Sequence, residues 1–340
     1  MEKQITALAL FSGGLDSSLA IKLMQAQNVR VIALNFVSHF FGHTEKIAKM
    51  AERLGVPLEF VEFRKRHLEM LKNPVYGYGK NMNPCIDCHS LMFRVAGELF
   101  PKFDAQFVIS GEVLGQRPMS QNLKALAKVE KLSGMGDLIV RPLCGKLLPP
   151  PRPVLEGWID GEKLLDIHGR TRTRQMELIK SFGIEEYPTP GGGCLLTDPS
   201  YSNRLRALQA DGFLGDGYDY LFPLLKKTRF FRLDCGKYLF VGRDDATNQV
   251  LAQFEHNGNL QIIPTETPGP RIMAVGELSP DDEAFALRLF SRYSKVKGRE
   301  KAVAELRREQ NEAPPRVETV SVDPFDTTQL ETRIRATQIL

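Results

Sequence analysis

Through the first 143 residues, short apolar runs alternate with stretches whose apolar positions recur at helical spacing. The runs are ITALALF, VRVIALNFV, PLEFVEF, QFVISG and DLIVRPL, and residues 17–27 and 44–54 carry the helical pattern. Near-continuous apolar runs read as strands buried on both faces, and strands separated by helices require crossover connections. This predicts an open α/β domain with a parallel sheet. The proline-rich LLPPPRPVLEG (147–157) cannot continue a helix or a central strand and reads as a connection within that domain. Beyond it, RTRTRQMELIKSFG predicts a helix with Met176, Ile179 and Phe182 as its apolar stripe and Gly183 as its stop. From about Phe222 the texture changes to short strands, RFFRLDCGKYLFVGR, QVLAQF and LQIIPT, then a helix at 280–293. The expected division is an α/β domain over 1–215, which includes the loop around Cys194, a smaller α+β domain over 216–325, and a tail over 326–340.

Composition adds little to this picture. A chain of 340 residues, 42% hydrophobic and 25% charged, is ordinary globular material with length for two cores. Its 45 basic and 41 acidic residues nearly cancel, so any nucleic-acid binding has to come from a local patch. The opening apolar run is too short for an export signal and no run approaches a membrane span, so a cytoplasmic location without membrane contact is expected. Five unevenly spaced cysteines argue against a disulfide framework and leave metal binding, catalysis or packing.

Ser12-Gly13-Gly14-Leu15-Asp16-Ser17 lies between the first strand and the first helix, where unpaired backbone N–H groups, two glycines and serine hydroxyls make an anion site. A plain strand-to-helix turn capped by Asp16 or Ser17 is the simpler reading of an arbitrary S-G-G. The loop lacks the lysine of the Walker motif and the third glycine of the dinucleotide fingerprint. It does resemble S-G-G-x-D-S, the PP-loop of the ATP pyrophosphatases. That resemblance implies an adenine nucleotide α-hydrolase-like sheet and a loop that grips the pyrophosphate half of ATP while the α-phosphorus is attacked. It also implies that Asp16 holds Mg2+ or orders the phosphates, with Ser12, Gly13, Gly14 and Ser17 around the nucleotide.

NPCIDCHSLMFR places Cys85 and Cys88 at the start of a predicted helix, and Cys194 lies in GGGCLL. Helix N-termini and backbone nests stabilise thiolates, so each position suits a metal ligand or a nucleophile. Three thiolates fall short of a structural zinc site, and the adjacent His89 is read as a helix-surface or RNA-facing side chain. Cys144 and Cys235 read as packing. The order of Cys85, Cys88 and Cys194 is similar to that in a branch of PP-loop tRNA-thiolating enzymes whose three cysteines hold a 4Fe-4S cluster. In the related 2-thiouridylases, NPC-type segments supply a persulfide pair, which would here be Cys88 and Cys194. The extra cysteine favours the cluster, which leaves one iron open to sulfide.

ISGEVLGQRPMSQNLKAL and IVRPLCGK resemble two segments of the 4-thiouridine synthetases. The resemblance makes Gly111, Glu112, Gln116 and Ser120 candidates for nucleotide contact, with Lys146 neutralising phosphate charge; helix capping by Ser120 and a solvated Lys146 are the plain alternatives. The sequence departs from that family at Arg117-Pro118-Met119 and after Lys146. Over roughly 222–325, CGKYLFVGRDDATNQVL and TPGPRIMAVG resemble the NFACT-R RNA-binding module, with Gly242, Arg243 and Asn248 in its V-G-R-x-x-x-x-N pattern. Its D-x-W-x-H segment is missing, with NLQIIPTETPG in that place. Lys226, Lys227, Arg229 and Arg232 with Phe230 and Phe231 suit phosphate contact and base stacking, though a half-buried strand explains the phenylalanines better. Arg170, Arg172, Arg174 and Lys180 add a basic helix, which a solvated face explains equally well.

Taken together, these resemblances imply an ATP-dependent sulfurtransferase acting on tRNA or another RNA. A sulfur donor, either sulfide or a carrier protein, is implied as partner, and a homodimer is left open. Rival readings are the persulfide version of the reaction, an RNA-binding quality-control factor that only senses ATP, and ATP-driven amide or nitrile formation on a small molecule.

Overall fold

The computed structural model describes residues 4–42, 45–184, 193–234, 236–254, 260–295, 301–310, 313–322 and 327–340. Its first five strands are β1 (Thr6–Leu10), β2 (Arg30–Val37), β3 (Leu58–Glu62), β4 (Phe107–Ser110) and β5 (Ile139–Val140). They pair in parallel in the order β3-β2-β1-β4-β5. All five expected strands form, and they do so as the predicted open parallel sheet. Between and after them run α1 (Leu15–Gln25), α2 (Glu45–Leu54), α3 (Arg64–Lys72), α4 (Cys85–Glu98), α5 (Phe100–Phe103), α6 (Leu123–Ser133), α7 (Arg152–Leu155) and α8 (Thr173–Ser181).

Alternate strand residues face two separate cores. Ala7, Ala9, Val31, Ala33, Phe107 and Ile109 pack under α1, α2 and α8, whereas Leu8, Ile32, Leu34, Phe36 and Val108 meet Phe93, Val95 and Ala96 of α4 with Val129 of α6. Burial on both faces is why these strands read as unbroken apolar runs. The chain winds from β1 outward to β3 and returns to β4 on the other side of β1. Ligands of such sheets bind at the carboxyl ends of the two strands flanking that reversal.

The chain divides into two compact units, 1–197 and 198–340, so residues 198–215 fall with the second unit and not with the first. They form α9 (Pro199–Ala210), capped by the Asp198 side chain, and are followed by α10 (Leu221–Lys227). The second sheet is antiparallel, in the order β11-β10-β8-β9-β7-β6, from β6 (Arg229–Arg232), β7 (Tyr238–Val241), β8 (Leu260–Pro264), β9 (Ile272–Val275), β10 (Ala302–Gln310) and β11 (Ala313–Val322). Its helices are α11 (Asp245–Ala252), α12 (Pro280–Tyr293) and α13 (Thr327–Thr337). Phe285, Leu289 and Phe290 of α12 cover one face. The other face receives α9, where the Tyr238 hydroxyl donates to the Ala207 carbonyl at 3.0 Å.

Several expectations change here. QVLAQF is helical in all but its last two residues: Asp244 and Thr247 form a reciprocal capping box that starts α11, and only Leu251 of that helix is buried. The expected tail contains α13, whose Leu330 and Ile334 belong to the core of the second unit. In α8, Ile179 is buried as expected, but Met176 is exposed and Gln175 takes the inward position. The helix at 280–293 forms as expected behind a second capping box, Ser279 with Asp282. Among the described residues, no helix is long and apolar enough to cross a membrane.

Candidate functional site

The loop after β1 adopts the anion-binding form. Gly13 has φ +75°, a conformation that favours glycine, and a Cβ there would meet Ile47 at 3.1 Å. Gly14 starts α1 in extended conformation, and no side chain caps the helix, which leaves first-turn N–H groups facing outward. The Ser17 and Ser18 hydroxyls donate to the Gly14 carbonyl at 3.0 and 2.9 Å, and Ser12 Oγ lies 3.4 Å from Ser17 Oγ. The serines therefore brace the loop.

Gly111, just after β4, meets this loop by backbone approach: a Cβ would stand 2.5 Å from Asp16 C and Ser17 N. Asp16 Oδ2 accepts from Gln116 Nε2 at 2.8 Å and from Arg172 at 3.3 Å, and Gln116 Oε1 accepts from Gln175 Nε2 at 3.1 Å. Asp16 Oδ1 is buried with no hydrogen-bond partner. A carboxylate with one oxygen held and one free, beside an anion cradle, fits a site for Mg2+ with nucleotide phosphates. The basic-helix reading did not foresee that Arg172 reaches Asp16; its sequence signal was only a charge run.

Glu112 and His89 are corrected together. Both carboxylate oxygens of Glu112 are engaged, Oε1 by His89 Nδ1 at 2.8 Å and Oε2 by Arg141 Nε at 2.9 Å, and Arg141 also donates to Glu130 at 2.5 Å. Glu112 is thus an interior ion-pair residue, and His89, expected as a helix-surface or RNA-facing side chain, is 27% exposed and bonded to it. Burial opposes the Glu112 charge, but Arg141 and His89 outweigh it and hold the carboxyl at about 2. Ser120 is buried in the turn after Arg117. Lys146 is exposed and pairs with Glu162 at 3.1 Å, with no bond to the PP-loop among the described residues. Cys144 packs in the interior with its thiol on the Glu112 carbonyl at 3.4 Å, as expected, whereas Cys235 lies outside the described residues.

Cys85 opens α4 and Cys88 lies one turn on, buried; Asn83 Nδ2 donates to Cys85 Sγ at 3.3 Å. Cys194 is brought to them by two tethers, Leu195 N–H to the Phe40 carbonyl at 3.0 Å and Asn81 Nδ2 to the Thr197 carbonyl at 2.7 Å. Residues 187–192 of the same glycine-rich loop lie outside the described residues. Burial pushes the Cys88 thiol well up, and charge on Cys194 and Cys85 adds to this; burial likewise raises Cys194 to about 11, with Cys85 contributing. The three thiols therefore lie within electrostatic reach of one another. Among the described residues no group of three or more His, Cys, Asp or Glu is arranged for a metal ion. In donor chemistry, three thiols are the soft ligands that iron–sulfur clusters and zinc take.

In the second unit the V-G-R-x-x-x-x-N residues form a clamp. Asn248 Oδ1 accepts from Arg271 N–H at 2.8 Å and its Nδ2 donates to the Gly269 carbonyl at 3.0 Å, while a Cβ on Gly242 would lie 1.9 Å from Asn248 Oδ1. Phe230 and Phe231 are fully buried on opposite faces, so neither stacks bases. Arg232 pairs with Asp211 at 2.6 Å, and Arg229 lies over the Tyr293 ring at 4.3 Å. Lys226, Lys227 and Arg243 remain exposed.

Residues 3–146 match the model of the thiamine biosynthesis protein (ThiI) family, and residues 228–333 match that of the NFACT protein RNA-binding domain. The chain is 27% identical over 188 residues to a probable tRNA sulfurtransferase of Thermococcus kodakarensis, covering 53% of this chain and 44% of that protein. It is 31% identical over 107 residues to tRNA-specific 2-thiouridylase MnmA 2 of Fusobacterium nucleatum, covering 29% and 31%. The chain thus spans less than half the length of these relatives. A solved 4-thiouridine synthetase–RNA complex with bound ATP aligns over 65% of this chain and 52% of that one, at 19% identity and a TM-score of 0.37. The expected pairing of a thiolation-type PP-loop domain with an NFACT-R domain is borne out by the two family matches.

Proposed function

We propose that this chain is a cytoplasmic, ATP-dependent sulfurtransferase that converts a uridine carbonyl of tRNA into a thiocarbonyl. One line of contacts carries the reading: Cys88 adjoins His89, His89 bonds Glu112, and Glu112 follows the glycine that touches the PP-loop backbone. A thiol cluster and an anion cradle joined through His89, Glu112 and Gly111 suit sulfur insertion at an activated carbon. The matches to a ThiI domain and an RNA-binding domain support the same substrate class.

In this reading Ser12, Gly13, Gly14 and Ser17 seat the phosphates of ATP, and Asp16 would hold Mg2+, which when bound supplies charge neutralisation there. The uridine oxygen attacks the α-phosphorus and pyrophosphate leaves. Hydrosulfide sulfur then adds to the same carbon, AMP departs with the oxygen, and one proton is released. Activation is required because a carbonyl oxygen leaves poorly and AMP leaves well. Cys85, Cys88 and Cys194 would hold a 4Fe-4S cluster, which when bound supplies an iron position open to sulfide. The third thiol, Cys85, favours this over a Cys88–Cys194 persulfide pair, which uses only two.

Anaerobically purified protein should release pyrophosphate from ATP only when RNA is present, and should contain iron and acid-labile sulfide that Cys85→Ala abolishes. Full activity of Cys85→Ala without iron would overturn the cluster. Pyrophosphate release indifferent to RNA would overturn the substrate class.

A further inference from the structure

Arg172, the residue before α8, is placed at the PP-loop by a rigid element. Ile179 of α8 is fully buried in the core it shares with α1, and Gln175, also fully buried, bonds Gln116, which bonds Asp16. The Arg172 side chain is 23% exposed, and among the described residues its guanidinium makes one contact, the 3.3 Å approach to Asp16 Oδ2. That oxygen already has a shorter bond from Gln116, at 2.8 Å. Arg172 is therefore dispensable for holding Asp16, and a fork of five donors with one long bond keeps spare capacity beside an anion cradle.

We propose that Arg172 is a phosphate-binding residue of the nucleotide site, exchanging its contact with Asp16 for the oxygens of the pyrophosphate half of ATP while Asp16 turns to the cation. Guanidinium and carboxylate then move from pairing with each other to pairing with phosphate and metal, so each keeps an opposite charge beside it in both arrangements. The exchange leaves Gln116 and Gln175 as the fixed frame. It rests on the reading of the PP-loop as an ATP site.

The test is isothermal titration of the full chain with ATP plus magnesium, and separately with AMP, for wild type, Arg172→Ala and Arg172→Lys. Loss of charge-assisted phosphate bonds should weaken ATP binding roughly ten- to a hundredfold in Arg172→Ala. Arg172→Lys, a point charge without the fork, should fall between, AMP affinity should stay within about twofold, and melting temperatures without nucleotide should be unchanged. Unchanged ATP affinity in Arg172→Ala would overturn the inference. So would an equal loss for ATP and AMP together with a lower melting temperature in both variants, which marks a structural role. If the wild-type chain binds no ATP, the reading of the loop falls, a result distinct from either.

Discussion

Replacing Gly111 by alanine tests the contact on which the site's geometry depends. The added Cβ would stand 2.5 Å from Asp16 C and Ser17 N and 2.7 Å from Asp16 O, all backbone atoms that cannot rotate away. Ordinary carbon contact begins near 3.4 Å, so the β4 loop and the start of α1 must part by roughly 1 Å. Overpacking of this size costs about 1–3 kcal/mol. At about 2–4 °C per kcal/mol for a unit of this length, the melting temperature should fall by a few degrees. The functional loss should be larger in proportion, because a displacement of ~1 Å at a positioned phosphate costs on the order of a hundredfold in rate. Differential scanning fluorimetry and an ATP–pyrophosphate exchange assay on the same preparations read both effects. Gly136→Ala, where a Cβ meets nothing within 4 Å, is the control and should match wild type. A Gly111→Ala protein with wild-type melting and wild-type exchange would refute the close approach of β4 to the PP-loop.

Three further outcomes follow from buried and half-buried groups. Glu112→Gln removes the main partner of Arg141, whose side chain is 2% exposed, and should cost about 3–5 kcal/mol in denaturant titrations, with Glu130 moderating the loss. Because Glu112 is held at about 2 against an ordinary 4.5, its contribution is complete above pH 4.5 and disappears as pH falls toward 2, and the variant's stability profile should be flatter there. His67, lowered to about 3 by burial and then by His39, must fold neutral, so its contribution is complete above pH 6.5 and is lost on acidification toward 3, by up to about 1.4 kcal/mol per pH unit; His67→Phe should flatten thermal stability between pH 6.5 and 4.5. Asn248→Ala strands the Arg271 N–H and the Gly269 carbonyl and should lower stability by about 1–3 kcal/mol in urea, with RNA affinity reduced only through loss of folded protein.

The parallel sheet was legible because burial on both faces writes itself as unbroken apolar runs, and the PP-loop because S-G-G-x-D-S resembles a known family's loop, where local chemistry alone left a plain capped turn open. Cys85 and Cys88 were readable from their spacing, whereas the arrival of Cys194 depended on family likeness, since its tethers to Phe40 and Asn81 leave no local signal. QVLAQF misled because a short apolar run fits strand and helix alike, and the deciding feature was the Asp244 capping box before it. Gly111 and Glu112 were legible as candidates for nucleotide contact, but not the bond of Glu112 to Arg141 from another strand end, nor the close approach of Gly111 to the backbone of Asp16 and Ser17. Both roles are long-range, and a single sequence records the residue without its neighbour. The same holds for Arg172, whose bond to Asp16 spans most of the first unit's length.

The activity proposed for this chain is insertion of sulfur into RNA. Its most direct test is liquid chromatography–mass spectrometry of nucleosides from tRNA incubated anaerobically with the protein, ATP, magnesium and isotopically labelled sulfide. A thiouridine carrying the label should form together with AMP and be absent with Asp16→Ala or Cys194→Ala. An unlabelled, unchanged nucleoside profile despite RNA-dependent turnover of ATP to AMP would contradict it.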